Sequence, residues 1–404
     1  MSAAADRHAA LWPPPPPAAP ARRPTPGGAL MLVVMLLAGM AVGIGAAHLG
    51  LHLQAVTSAS VVAMGIAFVL SLWPHIIIHE AGHALAGLAR GMRLLAMGIG
   101  PLRLERGSGG WRLRRGGGMN GIGGFAAVVP DGERGLSRTD QVLVLVGGPL
   151  ANLITAALCL AAALLWNPAP WVAGLLAGSA AAALLLALAN LFPFHSQGWR
   201  SDGQGMLDLL RNSPDGALQL QVSQLVALTM AGVRPREWPA SIQPATTQPD
   251  ADTGRDAGGT SPMLAASADS MQLSRAVDLG DADAAHRCAA RLATRYWGVA
   301  EAMRPVVAVN MASHVALMVG DEALLDAWRR LCEGTSVMDL TPYRHWLDAE
   351  LAALRGDAAA VADAITQARQ RLPLVPDPVG LLLLGEFLDR LEVRTGLAPP
   401  TTAM

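Results

Sequence analysis

The chain has 404 residues, enough for two or three domains, and a formal net charge of −1 that points to neither nucleic acid nor a strongly acidic partner. A mean hydropathy of +0.36 and a charged fraction of 15% fit a membrane protein better than a soluble enzyme. Every one of the 30 basic residues is arginine, and Ala and Gly are abundant. That composition suits a GC-rich bacterial genome, so the expected location is a bacterial cytoplasmic (inner) membrane. Cys159, Cys288 and Cys332 are scattered, which indicates neither a disulfide framework nor a cysteine zinc site.

Residues 1–28 carry Pro13 to Pro17, then Arg22, Arg23 and Pro24, and read as a disordered or polyproline arm without core-forming residues. No Asp, Glu or Arg occurs between Arg23 and Glu80, or between Asp140 and Arg200. Each run has room for two spans of about 20 residues. The first apolar segment, 29–50, follows a long polar arm and reads as a retained span, not a cleaved signal. A second span, 57–88, carries His79-Glu80-Ala81-Gly82-His83 near its end. Segment 89–138 is rich in Gly and Arg, and within it Met119 to Val129 reads as a short strand or hairpin. Spans three and four cover 140–166 and 171–192, with Asn167 to Pro170 as the turn. Arginines flank the start of span one and the ends of spans two and four, so the positive-inside rule places both termini in the cytoplasm.

Beyond Arg200 the composition becomes that of a soluble helical protein: a helical extension over 205–238, a Pro/Thr/Asp/Gly-rich linker over 239–262, helices over 263–395 and a tail over 396–404. Gly280-Asp281, Gly320-Asp321 and Gly356-Asp357 recur at intervals of about 36–40 residues, a period that fits stacked helical hairpins. Gly can end one helix in a left-handed conformation and Asp can cap the next. The expected fold is thus an all-α polytopic membrane protein of about four transmembrane helices with a short membrane-associated β segment. A C-terminal α-helical domain follows, tetratricopeptide-like by period only; an ordinary helical bundle fits about as well.

Residues four apart share one helix face, so His79 and His83 can bind one metal ion while Glu80 takes a proton from a water on it. Interfacial histidines with Glu80 snorkelling outward would explain one polar residue here, but not three adjoining ones. His75, one turn earlier, is read as a polar contact between spans. A catalytic zinc wants a third protein ligand, and Asp202, just after span four, is the candidate. Its rivals are His195, read as interfacial, and Asp208, read as lying on the solvated face of an amphipathic helix.

These residues resemble the site-2 proteases, the intramembrane zinc metalloproteases. His79, Glu80 and His83 match the HExxH helix of that family. Asn190, Pro193, Asp202 and Gly203 are similar to its second motif, Gly147 to Asn152 to its Gly-Pro-x-x-Asn span, and Gly123-Gly124-Phe125 to its membrane-associated β segment. The resemblance covers about 57–210. It implies one Zn2+ held by His79, His83 and Asp202, with Glu80 as general base. Eight residues separate Pro193 from Asp202, more than in many members, which leaves the depth of Asp202 open; no PDZ-like insert is visible. The expected activity is hydrolysis of a peptide bond in or near a transmembrane segment of a membrane protein, as in regulated intramembrane proteolysis. The edge at Gly123, Gly124 and Phe125 would hold the substrate extended. Asn152 and Asn190 would bond its backbone, brace the ligand helix or join spans. Partners on this reading are a transmembrane protein substrate, the lipid bilayer and a protein bound by the C-terminal helices. The competing readings are an inert membrane-anchored scaffold and, more weakly, a zinc transporter, which would not need Glu80.

Overall fold

The computed structural model describes residues 8–17, 58–107, 109–115, 123–131, 135–196, 199–242, 244 and 260–397. The expected first span, Met119 to Ile122 and most of the linker lie outside the described residues. Three of the expected spans are present as α1 (Ser58–Ala89), α2 (Arg138–Leu165) and α3 (Pro170–Leu191), with mean hydropathies of 2.2, 2.1 and 2.2. A fourth helical stretch, Glu301–Val319, is also long and apolar enough to cross a membrane. It is the most enclosed of the four: Val307, Ala308, Met311, Ala312 and Val315 are all buried in the C-terminal core.

Local signals set the ends of the spans. Ser137 caps α2 in a reciprocal capping box with Asp140, and Pro170 opens α3 at a position where its missing N–H costs nothing. Lipid offers no hydrophobic drive between helices, so the spans pack through small residues that let backbones touch. Gly82 of α1 and Gly147 of α2 press against each other's carbonyls, and Gly174 and Gly178 of α3 press against the Ser60 and Met64 carbonyls of α1. Trp166 and Trp171 flank the α2–α3 turn and are largely exposed, as aromatic residues at a membrane interface are.

Between α1 and α2 the chain forms more β structure than expected: β1 (Met92–Ile99), β2 (Leu102–Gly107), β3 (Gly110–Arg115) and β4 (Gly124–Pro130). They make an antiparallel sheet in the order β3-β2-β1-β4, so β4 is an edge among the described residues. The Gly/Arg-rich segment is therefore a sheet, and its strand pattern is inverted. On β2 the charged Arg103 and Glu105 are buried while Leu102 and Leu104 are exposed. Leu104 pairs with Leu113 and Arg106 with Trp111, giving one apolar face; the same face at β4 packs on α1 through Gly124. The opposite face meets the C-terminal helices through Arg112 and Asp339 (3.6 Å) and through Gly107 on the Pro373 carbonyl.

A two-stranded turn, β5 (His195–Ser196) with β6 (Trp199–Arg200), leads into α4 (Asp202–Leu210) and α5 (Pro214–Met230). The C-terminal helices are α6 (Pro262–Leu279), α7 (Ala282–Arg295), α8 (Arg304–His314, continued by a wider turn to Val319), α9 (Glu322–Leu331), α10 (Thr341–Leu354), α11 (Ala358–Arg371) and α12 (Pro378–Thr395). All three Gly-Asp steps behave as their chemistry requires. Gly280, Gly320 and Gly356 take φ of 74°, 73° and 74°, and Asp281, Asp321 and Asp357 accept the N–H three residues on. The likeness to tetratricopeptide arrays remains one of period alone. One expectation fails at the N-terminus: Leu11 is fully buried in the C-terminal core, so the arm does contribute a core residue.

Gly82→Val tests the α1–α2 contact. Overpacking costs about 1–3 kcal/mol, and here the obstacle is backbone. The variant should unfold at a temperature several degrees lower in detergent, whereas Gly65→Val, with no described residue close to its Cβ, should not.

Candidate metal centre

Two elements converge on one point. His79 and His83 come from α1, and Asp202 is the first residue of α4. His79 Nε2 lies 3.1 Å from Asp202 Oδ2 and 3.1 Å from His83 Nε2, and His83 Nε2 lies 3.4 Å from the same carboxylate oxygen. For zinc–ligand bonds of roughly 2.0–2.1 Å in tetrahedral geometry, neighbouring donors should stand about 3.3 Å apart. The observed separations match those edges, so the three residues fit one zinc ion. All three donor atoms fall within 4.8 Å of one another.

Both imidazoles are set to present Nε2. The Nδ1–H of His83 donates to the Val144 carbonyl at 2.7 Å, leaving Nε2 as the lone-pair nitrogen. His79 Nδ1 faces the side-chain amide of Asn152, which is fully buried and stands 3.4 Å away. The amide atoms of asparagine are assigned by their partners. Turned end for end, the otherwise unbonded Oδ1 of Asn152 accepts the Nδ1–H of His79 and fixes the same tautomer. Gly148 keeps the space over the two nitrogens open: a side chain there would collide with His83 Nε2 and stand 2.8 Å from His79 Nε2.

Asp202 reaches this point because of how the chain leaves α3. The long gap after Pro193 folds into the β5–β6 turn, which brings the chain straight back. Ser201 locks the return: its hydroxyl donates to the Phe192 carbonyl at 2.7 Å and accepts from the Phe194 and Gln204 amides. Gly203 then sits directly on the Leu191 carbonyl, an approach any side chain would block. Burial pushes the Asp202 carboxyl up, but the two imidazoles beside it outweigh burial and hold it below its ordinary value, in the ionised form that ligates.

The rivals lie elsewhere. His75 Nε2 meets Ser179 Oγ at 3.0 Å across α1 and α3, the inter-span contact expected for it. His195 is exposed and pairs with Arg200 in the turn. Asp208 is buried, not on a solvated face: Arg200 at 3.1 Å, Gln204 at 2.9 Å and Ser213 at 3.3 Å hold it as a structural anion.

Glu80, buried next to His79, faces a cavity of about 340 Å³ together with Gly123, Gly124, Asn190 and Trp199. A Cβ built on Gly124 would stand 2.8 Å from Glu80 Cγ and 3.0 Å from Oε1, so the edge strand runs directly past the carboxyl. Asn190 donates to the Leu186 carbonyl and lines the same cavity. Phe125 faces the other side of the sheet, over Gly98. Trp199 is a contributor that the motif reading left out; only its place between the matched Pro193 and Asp202 could have flagged it.

The family model that matches is that of peptidase family M50, over residues 67–370. The chain belongs to family M50. This is the site-2 protease family of intramembrane metalloproteases, whose enzymes are zinc-dependent and cleave membrane proteins. Comparison with curated proteins and with solved structures finds no match. As an M50 metallopeptidase the protein presents His79, His83 and Asp202 as its candidate zinc site.

Purified protein should carry one equivalent of zinc by elemental analysis. His83→Ala or Asp202→Ala should leave less than about a tenth of that, since a two-ligand site is weak. Asp208→Asn and His75→Ala should keep the full equivalent; loss of zinc in either would overturn the ligand assignment.

Proposed function

We propose that this M50 peptidase hydrolyses a peptide bond in or near a transmembrane segment of a membrane protein, with Glu80 as general base and β4 as the substrate-holding edge. The observation that carries the reading is the convergence of Glu80, the ligand histidines and Gly124 on one cavity. A helical substrate hides its backbone carbonyls in its own hydrogen bonds, so it has to unwind before attack. Among the described residues β4 pairs with β1 on one side only, and its other side can hold an extended strand by backbone hydrogen bonds. Gly123 and Gly124 let that strand pass close to Glu80. Asn190, with its N–H already given to Leu186, offers Oδ1 to a substrate amide.

His79, His83 and Asp202 would hold the zinc, which when bound would supply the Lewis acidity to acidify a water and polarise the scissile carbonyl. Glu80 takes the water's proton on its carboxylate and hands it to the departing amine nitrogen. Asn152 acts through His79, as a positioning residue, and does not reach the substrate.

Both chain ends belong on one side, the cytoplasmic side by arginine distribution. The contact between residues 8–17 and the C-terminal helices supports this, since it needs both on the same face of the membrane. The three described spans alone would put them on opposite sides. The expected span at 29–50, outside the described residues, is the one that reconciles the count.

The decisive comparison is of membrane-protein fragments in cells carrying the wild-type chain or Glu80→Gln. The variant should hold its zinc yet cleave at least about 100-fold more slowly, with the precursor accumulating. Retained cleavage would remove Glu80 from the mechanism; no fragment with either chain, despite bound zinc, would favour the inert scaffold. Gly124→Val should likewise keep zinc and lose cleavage, because its side chain fills the space beside Glu80.

A further inference from the structure

The N-terminal segment His8–Pro17 is seated on the C-terminal helices in the manner of a bound peptide. A single turn, Ala9–Leu11, drives the Leu11 side chain into the core that holds Leu292, Tyr296 and Trp328. Trp12 then takes φ −66° and ψ 143°, polyproline-II values, and five prolines follow. The Trp328 indole N–H donates to the Leu11 carbonyl at 2.7 Å, and the Trp297 indole N–H donates to the Pro14 carbonyl at 2.8 Å. Carbonyls 11 and 14 thus both face the two indoles, the three-residue interval at which a polyproline-II ligand repeats. Tyr296 packs edge-on against both, with ring centroids 5.0 Å from Trp297 and 5.4 Å from Trp328.

Each feature is what recognition of a proline-rich ligand requires. Proline has no N–H, so the carbonyls of such a segment have no internal donors and are free to accept from outside. The conformation is already fixed, so little entropy is lost on binding. Leu11 supplies the apolar anchor, while Trp12 and Pro15 to Pro17 stay exposed. With the segment seated, Trp328 is completely buried, and the Leu11 carbonyl is the acceptor its N–H requires there.

We propose that Tyr296, Trp297 and Trp328 form a recognition site for a leucine-anchored polyproline-II segment, and that His8–Pro17 is its detachable intramolecular ligand. Tethering gives that ligand an effective concentration that a free peptide has to overcome. A separate peptide of the same pattern therefore binds only once the tethered copy has been removed.

The test uses the full chain in detergent, with a specific protease site inserted after Pro17. The chain folds with its own segment in place, so the site is never emptied before folding. After cleavage and washing, a fluorescein-labelled synthetic copy of residues 5–17 is titrated and followed by anisotropy. Cleaved protein should take up one equivalent, uncleaved protein essentially none. A peptide carrying Leu11→Ala should bind at least about 30-fold more weakly, the fold-change that corresponds to emptying a buried leucine site. A segment that cannot be washed out or exchanged from cleaved protein would make it a permanent part of the core and overturn the proposal. Equal binding by cleaved and uncleaved protein, or by the Leu11→Ala peptide, would overturn it as well.

Discussion

The backbone contact between Gly82 and Gly147 is the constraint from which the rest of the centre follows. It fixes the rotation and separation of α1 against α2, and a ligand set tolerates little error in either. Val144, Gly148 and Asn152 lie at four-residue intervals, one stripe of α2, and that stripe faces His79 and His83. One end of it accepts the His83 Nδ1–H, the middle leaves space for the two Nε2 atoms, and the far end holds His79. A side chain at either glycine would push the helices apart and misplace all three together.

Buried polar groups in a span are costly unless paired, and here the pairing and the chemistry coincide. His75 is answered by Ser179, His83 by Val144, and His79 by Asn152 and the carboxylate of Asp202. The carboxylate arrives from outside the spans, on a helix whose entry is clamped by Ser201 to the end of α3. That arrangement lets a charged ligand reach the centre without sitting in a membrane helix itself.

Much of this was legible in the residues. The spacing of His79 and His83, the charge-free run before Arg200 and the Gly-Asp steps each follow from local rules, and each appears where those rules place it. What local pattern could not supply was partnership. The β2–β3 hairpin alternates strictly, Leu102-Arg103-Leu104-Glu105, yet its charged residues are the buried ones, because they face the C-terminal helices and each other: Glu105 pairs with Arg114 at 2.6 Å. Asp208 looked solvated because its partner, Arg200, lies on a strand two residues long. Leu11 looked isolated among prolines because the indole that meets it, Trp328, is 317 residues further along the chain.

The sheet also has a mechanical meaning. Its outermost strand is pinned to the C-terminal helices through Arg112 and Asp339, and its opposite edge passes Glu80 at Gly124. Strands spaced about 4.8 Å apart, with Gly124 three residues along β4 from the position opposite Arg112, put these two points roughly 17 Å from each other, joined by ladders of hydrogen bonds. The sheet is therefore one hydrogen-bonded connection between the C-terminal helices at one edge and the strand beside Glu80 at the other, so the placing of each is tied to that of the other.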